Sequence, residues 1–254
     1  MSERWLIVNA DDLGRSPGVN RGIFAAHERG IVTSATLMVG FPAAVSAARE
    51  LADFPRLGVG LHVTLSGARP LLPLDQVPSL VNADGDLPRR PDLDWQAEPA
   101  EIEREVRAQL ARFRELTGRW PTHFDSHHHS HRVPRVTDVL VTLARELGVP
   151  VRRASSEVAT RLVAAGVAST DSFVESFYGD GAQLAALLEI LAGIGPGVTE
   201  LMVHPGQVDD ELRTGSTYLE DRERELAILT DPAVLAAVAR HGLRLATFGE
   251  PWKS

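Results

Sequence analysis

The chain has 254 residues, 44% of them hydrophobic and 24% charged, with a formal net charge of −8. A chain of this size and composition builds a globular core unaided, and the absence of cysteine excludes disulfides, thiolate metal sites and cysteine nucleophiles. The acidic balance excludes a nucleic-acid partner, no apolar run is long enough to cross a membrane, and the opening MSERWLIVNADD does not read as a signal peptide. A cytoplasmic protein with no membrane partner is therefore expected.

RWLIVNA (4–10) predicts a buried first strand, ended by Asp11 and Asp12. Ser16 then fits a helix N-cap, Pro17 the first helical position and Gly30 the stop. IVTSATLMV (31–39) predicts a second strand, residues 42–52 a short helix and LGVGLHVTL (57–65) a third strand. Residues 66–99 read as a long loop insertion with six prolines, Pro99 included. Loops of that length often serve as lids or binding segments.

Ile102, Val106, Leu110, Phe113 and Leu116 stripe a helix over 100–117, closed by Gly118. THFDS (122–126) predicts the fourth strand, and Val136, Leu140, Leu143 and Leu147 a helix ended by Gly148. VPVRRA (149–154), DSFVES (171–176), TELMVHPG (199–206) and LRLATFGE (243–250) supply strands five to eight. Helical patterns over 157–165, 184–191, 218–229 and 232–240 lie between them. Eight strand-like runs alternating with helices predict an α/β chain, a TIM-barrel-like (β/α) barrel, in one domain over 1–254. A doubly wound open sheet is the other topology this alternation allows.

Reactive residues collect at the carboxyl ends of these strands. The first gives Asn9, Asp11 and Asp12, and the third gives His62. The fourth gives Asp125 and His127, with His128, His129 and His131 just beyond. Arg152 and Arg153 follow the fifth, Glu175 the sixth, His204 the seventh and Glu250 the eighth. That edge is where α/β folds build active sites.

Taken singly, each has an ordinary reading. Two aspartates can make a turn, His62 can be a satisfied core histidine, HHHSH can be a solvated loop, and His204 can end a strand before a proline turn. Taken together they favour a cation. Burying carboxylate and imidazole unpaired is costly, and a metal satisfies both. One aspartate with two histidines suits Zn²⁺, Mn²⁺, Co²⁺ or Fe²⁺, and three protein ligands leave positions open for water and substrate. One of Asp11 and Asp12 can ligate while its neighbour, pointing another way, takes a proton from water. That is a hydrolase site.

IVNADDLG, GIVTSATLMV, GLHVTL, THFDSHHHSH and ELMVHPG occur in this order from residue 6 to about 206, and R-E-x-E-L-x-x-L follows at 222–229. In this series the chain resembles the YdjC-like (ChbG-type) carbohydrate deacetylases, chitooligosaccharide deacetylases among them. The resemblance implies a (β/α) barrel related to polysaccharide deacetylases. It implies a metal-dependent hydrolase of linear amide C–N bonds that removes the N-acetyl group from an N-acetylated amino sugar or oligosaccharide. Its metal would be one divalent ion, Mg²⁺ by resemblance, on Asp12, His62 and His127. Asp11 would be the general base, with His204 near the site.

Within that scheme His204 is the first choice of general acid and His131 the second. Asp125 is expected to support a histidine, taken to be His127. Arg152 and Arg153 are expected at sugar hydroxyls or as a solvated strand end, with Arg152 also a candidate support behind the site; His129 and His131 are expected within reach of substrate, and His128 turned away. Trp95 stacks on sugar or anchors its loop. The partner is a small N-acetylated sugar and the assembly considered is a homodimer. Four other readings stay open: a metal-dependent hydrolase of a non-sugar amide, a hopanoid-associated deacetylase of the same family, a metal-free glycosidase using Glu175 and Glu250, and a metal-binding module without turnover. The 66–99 loop matches nothing in the family pattern.

Overall fold

A computed structural model describes residues 3–250. Its contacts divide the chain into two compact units. The first holds the described residues up to Thr36, Phe41–Val59 and the described residues from Thr170 onward. The second holds Leu37–Gly40 and Gly60–Ser169. Two of the four boundaries fall inside β2 (Ser34–Leu37) and β3 (Gly58–Val63).

In the first unit, β1 (Arg4–Leu13) pairs in parallel with β6 (Gly197–Val203), from Arg4 opposite Gly197 to Ala10 opposite Val203. β5 (Ser172–Val174) adds to β6, and β7 (Arg244–Leu245) adds to β1, both also parallel. Leu6, Ile7, Val8 and Ala10 are all fully buried, as a near-continuous apolar strand of a parallel sheet should be. The helices are α1 (Pro17–Arg29), α2 (Ala44–Glu50), α6 (Leu184–Gly193), α7 (Asp210–Gly215), α8 (Glu220–Leu229) and α9 (Pro232–Arg240). Ser16 caps α1 by accepting the Val19 N–H at 3.2 Å, with Pro17 in the first turn.

In the second unit, β3 pairs in parallel with β4 (Phe124–Ser126). The helices are α3 (Pro99–Thr117), α4 (Pro134–Leu147) and α5 (Ser156–Ala164). Gly118 and Gly148 end α3 and α4 in the left-handed conformation that glycine adopts without a steric cost.

Several sequence expectations are corrected. β1 runs on to Leu13, so Asp11 and Asp12 lie within the strand rather than after it. The fifth expected strand, 149–154, contracts to a single bridge between Val151 and Phe124. Pro150 has no N–H to give a ladder, and the chain turns at Arg152, whose carbonyl accepts the Ala154 N–H at 3.1 Å. The eighth shrinks to Arg244–Leu245 because Glu250 caps a turn at the Thr247 N–H, 2.6 Å away. Seven strands thus stand among the described residues where eight were expected. Helix α7 was not anticipated; Asp209 caps it through the Leu212 N–H at 2.8 Å.

The 66–99 segment is a packed element. It contains 3₁₀ turns at Leu74–Gln76 and Pro78–Leu80, and buries Val77, Leu80, Leu87 and Ala97. Fully buried Glu105 on α3 accepts the Leu71 and Leu72 N–H groups at 2.9 and 3.1 Å. Gln109, one turn on, donates to Glu105 and brackets both backbone groups of Thr64 just past β3.

Candidate active site

In the first unit the β1–β6 register fixes the arrangement. Ala10 lies opposite Val203, so Asp11 and His204 follow side by side on adjacent strands. His204 Nε2 is 3.9 Å from Asp11 Oδ2, and the Asn9 amide holds the other Asp11 oxygen at 2.9 Å. Asp12 takes a φ of +69°, a conformation aspartate tolerates better than most residues. Its carboxylate receives Arg222 Nη2 at 2.6 Å, and both side chains are buried.

Behind His204 lies a buried support. Glu225, one helical turn after Arg222 on α8, accepts the His204 N–H and the Tyr218 hydroxyl, each at 2.5 Å. Burial raises the Glu225 carboxyl to about 7. The His204 ring meets the rings of Tyr178 and Tyr218 edge-on, with centroids at 5.2 and 5.8 Å.

In the second unit the β3–β4 register sets His62 directly opposite Asp125. Their side chains meet at 2.7 Å, His62 Nδ1 to Asp125 Oδ1. The Phe124–Val151 bridge brings Arg152 alongside, 2.9 Å from the other Asp125 oxygen. Nδ1 on a buried carboxylate holds the His62 ring in the way that orients ligating histidines. A ring nitrogen of His127 lies within 4.8 Å of one on His62. Gly67, at φ +61°, packs close to His127 and His128.

The four clustered histidines separate. His127 shares a face with His62. The His128 ring lies tilted against His127, with centroids 3.8 Å apart, and reaches Ser66 Oγ at 3.1 Å. His128 and His129 both sit in the left-handed region, with φ of +51° and +53°. His131 is fully buried, held through Nδ1 and its backbone N–H by the Ser126 hydroxyl. Burial first, and then the neighbouring His129 and the Arg152 and Arg132 guanidinium groups, hold its ring well below the ordinary histidine range.

The structure therefore brings together Asp11 with His204, and His62 with Asp125 and His127. The expected support of His127 by Asp125 is corrected: the partner of Asp125 is His62, because cross-strand register decides it. His131 as a second general acid is also corrected: its ring is fully buried on the Ser126 hydroxyl, and burial disfavours the imidazolium form that a general acid needs. Arg152, completely buried on Asp125, stands behind the site and not at sugar hydroxyls. Glu175 and Glu250 are exposed, and Glu250 is committed to its turn, which gives no support to a two-carboxylate glycosidase.

Sequence reading missed the role of Arg222 on Asp12 and of Glu225 and Tyr218 behind His204. The available signal was the i,i+3 spacing of Arg222 and Glu225, which puts both on one helix face.

A family model described as YdjC-like protein matches residues 5–240. A carbohydrate deacetylase of Geobacillus stearothermophilus is 45% identical over 251 residues, 98% of this chain and 99% of that protein. A chitooligosaccharide deacetylase of Yersinia pestis (strain Pestoides F) is 38% identical over 256 residues, 97% of this chain and 98% of that one. The crystal structure of a candidate cellobiose-phosphate cleavage protein from Enterococcus faecalis V583 matches with a TM-score of 0.92 at 33% identity, covering 97% of this chain and 98% of that chain. A family 4 carbohydrate esterase from Streptomyces lividans matches with a TM-score of 0.57 at 14% identity, covering 97% of this chain and 93% of that chain, and the fold is of the (β/α)-barrel class, as the alternation of strands and helices implied. On the near-complete family match and an identity that reaches 45% along its length, the chain belongs to the YdjC-like protein family.

Proposed function

We propose that the chain is a metal-dependent carbohydrate deacetylase, which hydrolyses the N-acetyl group of an N-acetylated amino sugar or oligosaccharide. The observation that carries the reading is its 45% identity, over 98% of its length, to a carbohydrate deacetylase. The chitooligosaccharide deacetylase relative supports an amino sugar as substrate.

Asp12, His62 and His127 would hold the ion. The donor set fits: two imidazoles, one already oriented by a buried carboxylate, and one aspartate. Two nitrogen donors favour Zn²⁺, Mn²⁺ or Co²⁺, whereas Mg²⁺, which the resemblance implies, prefers oxygen. When bound, such an ion supplies Lewis acidity, drawing electrons from an acyl carbonyl and making water more acidic.

Asp11 removes the proton from the attacking water, its carboxylate oriented by Asn9. His204 gives the Nε2 proton to the departing amine, because expelling an amide anion is prohibitive. Their 3.9 Å separation lets base and acid serve one scissile bond. Glu225 holds the His204 backbone N–H, and Tyr218, anchored on Glu225, packs edge-on against its ring. Operation as one domain, a cytoplasmic location and a homodimeric assembly belong to the same proposal; sedimentation velocity reads the last.

The test is acetate release from N-acetylglucosamine dimers and trimers, before and after chelation, with Zn²⁺, Mn²⁺, Co²⁺ and Mg²⁺ added back in turn. Chelator-sensitive release restored by metal is expected. Release from simple acetamides alone would point to a non-sugar amidase, and chelator-insensitive turnover would overturn the metal.

A further inference from the structure

Residues 176–183 follow β5 and are constrained from several directions. The Gly179 N–H donates to the Tyr218 hydroxyl at 2.9 Å. Arg224 donates to the carbonyls of Gly179 and Ala182 at 3.1 and 3.0 Å. Gly179 adopts φ +57°, and a Cβ on Gly181 would fall 2.2 Å from the Ser176 carbonyl oxygen. Phe177 is fully buried, yet Tyr178, beside it, is 46% exposed.

The Tyr178 ring lies flat on Tyr218, centroids 4.3 Å apart and planes within 9°. It also meets His204 edge-on at 5.2 Å. Tyr218 is itself anchored, its hydroxyl on Glu225 and the Arg222 guanidinium 5.5 Å from its ring centre. The result is a pre-positioned aromatic wall with its outer ring half in water, next to the imidazole assigned to the leaving nitrogen. A rigid tyrosine offers an apolar face and a polar tip at little entropic cost. A pyranose has the matching surface, with axial C–H groups on one face and hydroxyls around its rim.

We propose that Tyr178 is the platform for the pyranose ring that carries the acetamido group, and so a residue that determines preference for sugars over simple amides. The inference rests on the deacetylase reading above. It assigns Tyr178 to binding and leaves proton transfer to Asp11 and His204.

The test compares wild type, Tyr178→Phe and Tyr178→Ala on N,N′-diacetylchitobiose and on N-methylacetamide, with thermal melting to verify folding. For Tyr178→Ala, KM for the sugar is expected to rise about tenfold, the scale of one lost aromatic contact. Its kcat and the pH profile of kcat should stay within about twofold of wild type, and Tyr178→Phe should retain most sugar affinity. Calorimetric binding of chitobiose, which lacks the acetyl groups, should weaken in parallel.

A fall in kcat with a displaced pH profile would overturn the proposal, because Tyr178 would then be supporting His204. An unchanged KM, or equal losses in the two variants, would overturn it as well. Wild-type enzyme that releases no acetate from the sugar would remove the deacetylase reading and this one with it; active wild type with indifferent Tyr178 variants would remove this one alone.

Discussion

His62 and Asp125 are cross-strand partners whose side chains meet at 2.7 Å, and neither has appreciable contact with water. Arg152 closes the other side of Asp125 at 2.9 Å. Asp125→Asn keeps an acceptor for the imidazole but removes the charge that makes it a better ligand. We expect metal affinity to fall about 10–100-fold with the fold intact, read by metal titration. Asp125→Ala strands a buried guanidinium and should also cost about 3–5 kcal/mol in urea unfolding.

The adjacent aspartates are expected to separate by function. Asp11→Asn should abolish acetate release and leave bound metal nearly unchanged. Asp12→Asn should lose both, and His62→Ala and His127→Ala should likewise lose metal. Equal metal loss in the two aspartate variants would defeat this division of labour, and full occupancy in the histidine variants would defeat the ligand assignment.

Glu225 gives stability a pH dependence of definite sign. Its carboxyl titrates near 4.5 when unfolded and about 7 when buried. The folded state therefore holds the proton more tightly, and its contribution is complete below about pH 4.5 and lost as pH rises through 7. Glu225→Gln resembles the protonated carboxyl and should flatten that slope. Relative to wild type it should gain about 3 kcal/mol between pH 4.5 and 7.5. Urea unfolding at several pH values measures it, and parallel slopes for the two proteins would contradict it.

Glu105 tethers the 66–99 segment at Leu71 and Leu72. In Glu105→Ala the Leu71 and Leu72 N–H groups and the Gln109 amide lose their acceptor. A destabilisation of about 2–4 kcal/mol is expected. Hydrogen exchange at Leu71 and Leu72 should accelerate well before global unfolding, showing that the tether is local.

The features legible in sequence were those with local causes. Ser16, Pro17, Gly118 and Gly148 announce helix ends through backbone chemistry that needs no distant partner. Asp11, Asp12, His62 and His204 stood out because ionisable residues at successive strand ends are otherwise hard to explain. What stayed hidden depends on register and tertiary pairing. Arg152 reads as a solvated strand end until a single bridge sets it against Asp125, and nothing near Asp12 announces Arg222, 210 positions away. Pro150 lies in plain view in VPVRRA, but the apolar residues around it carry a strand pattern that its missing N–H cuts short.

The two successive left-handed residues, His128 and His129, have a consequence for anyone redesigning this segment. Their backbone geometry limits substitution more severely than their imidazoles do. Glycine or asparagine at either position can keep the turn that separates His127 from His131, whereas valine or isoleucine would force the backbone elsewhere. In a saturation library, tolerance at these two sites should therefore sort by conformational permissiveness, and histidine there is as much a matter of shape as of chemistry.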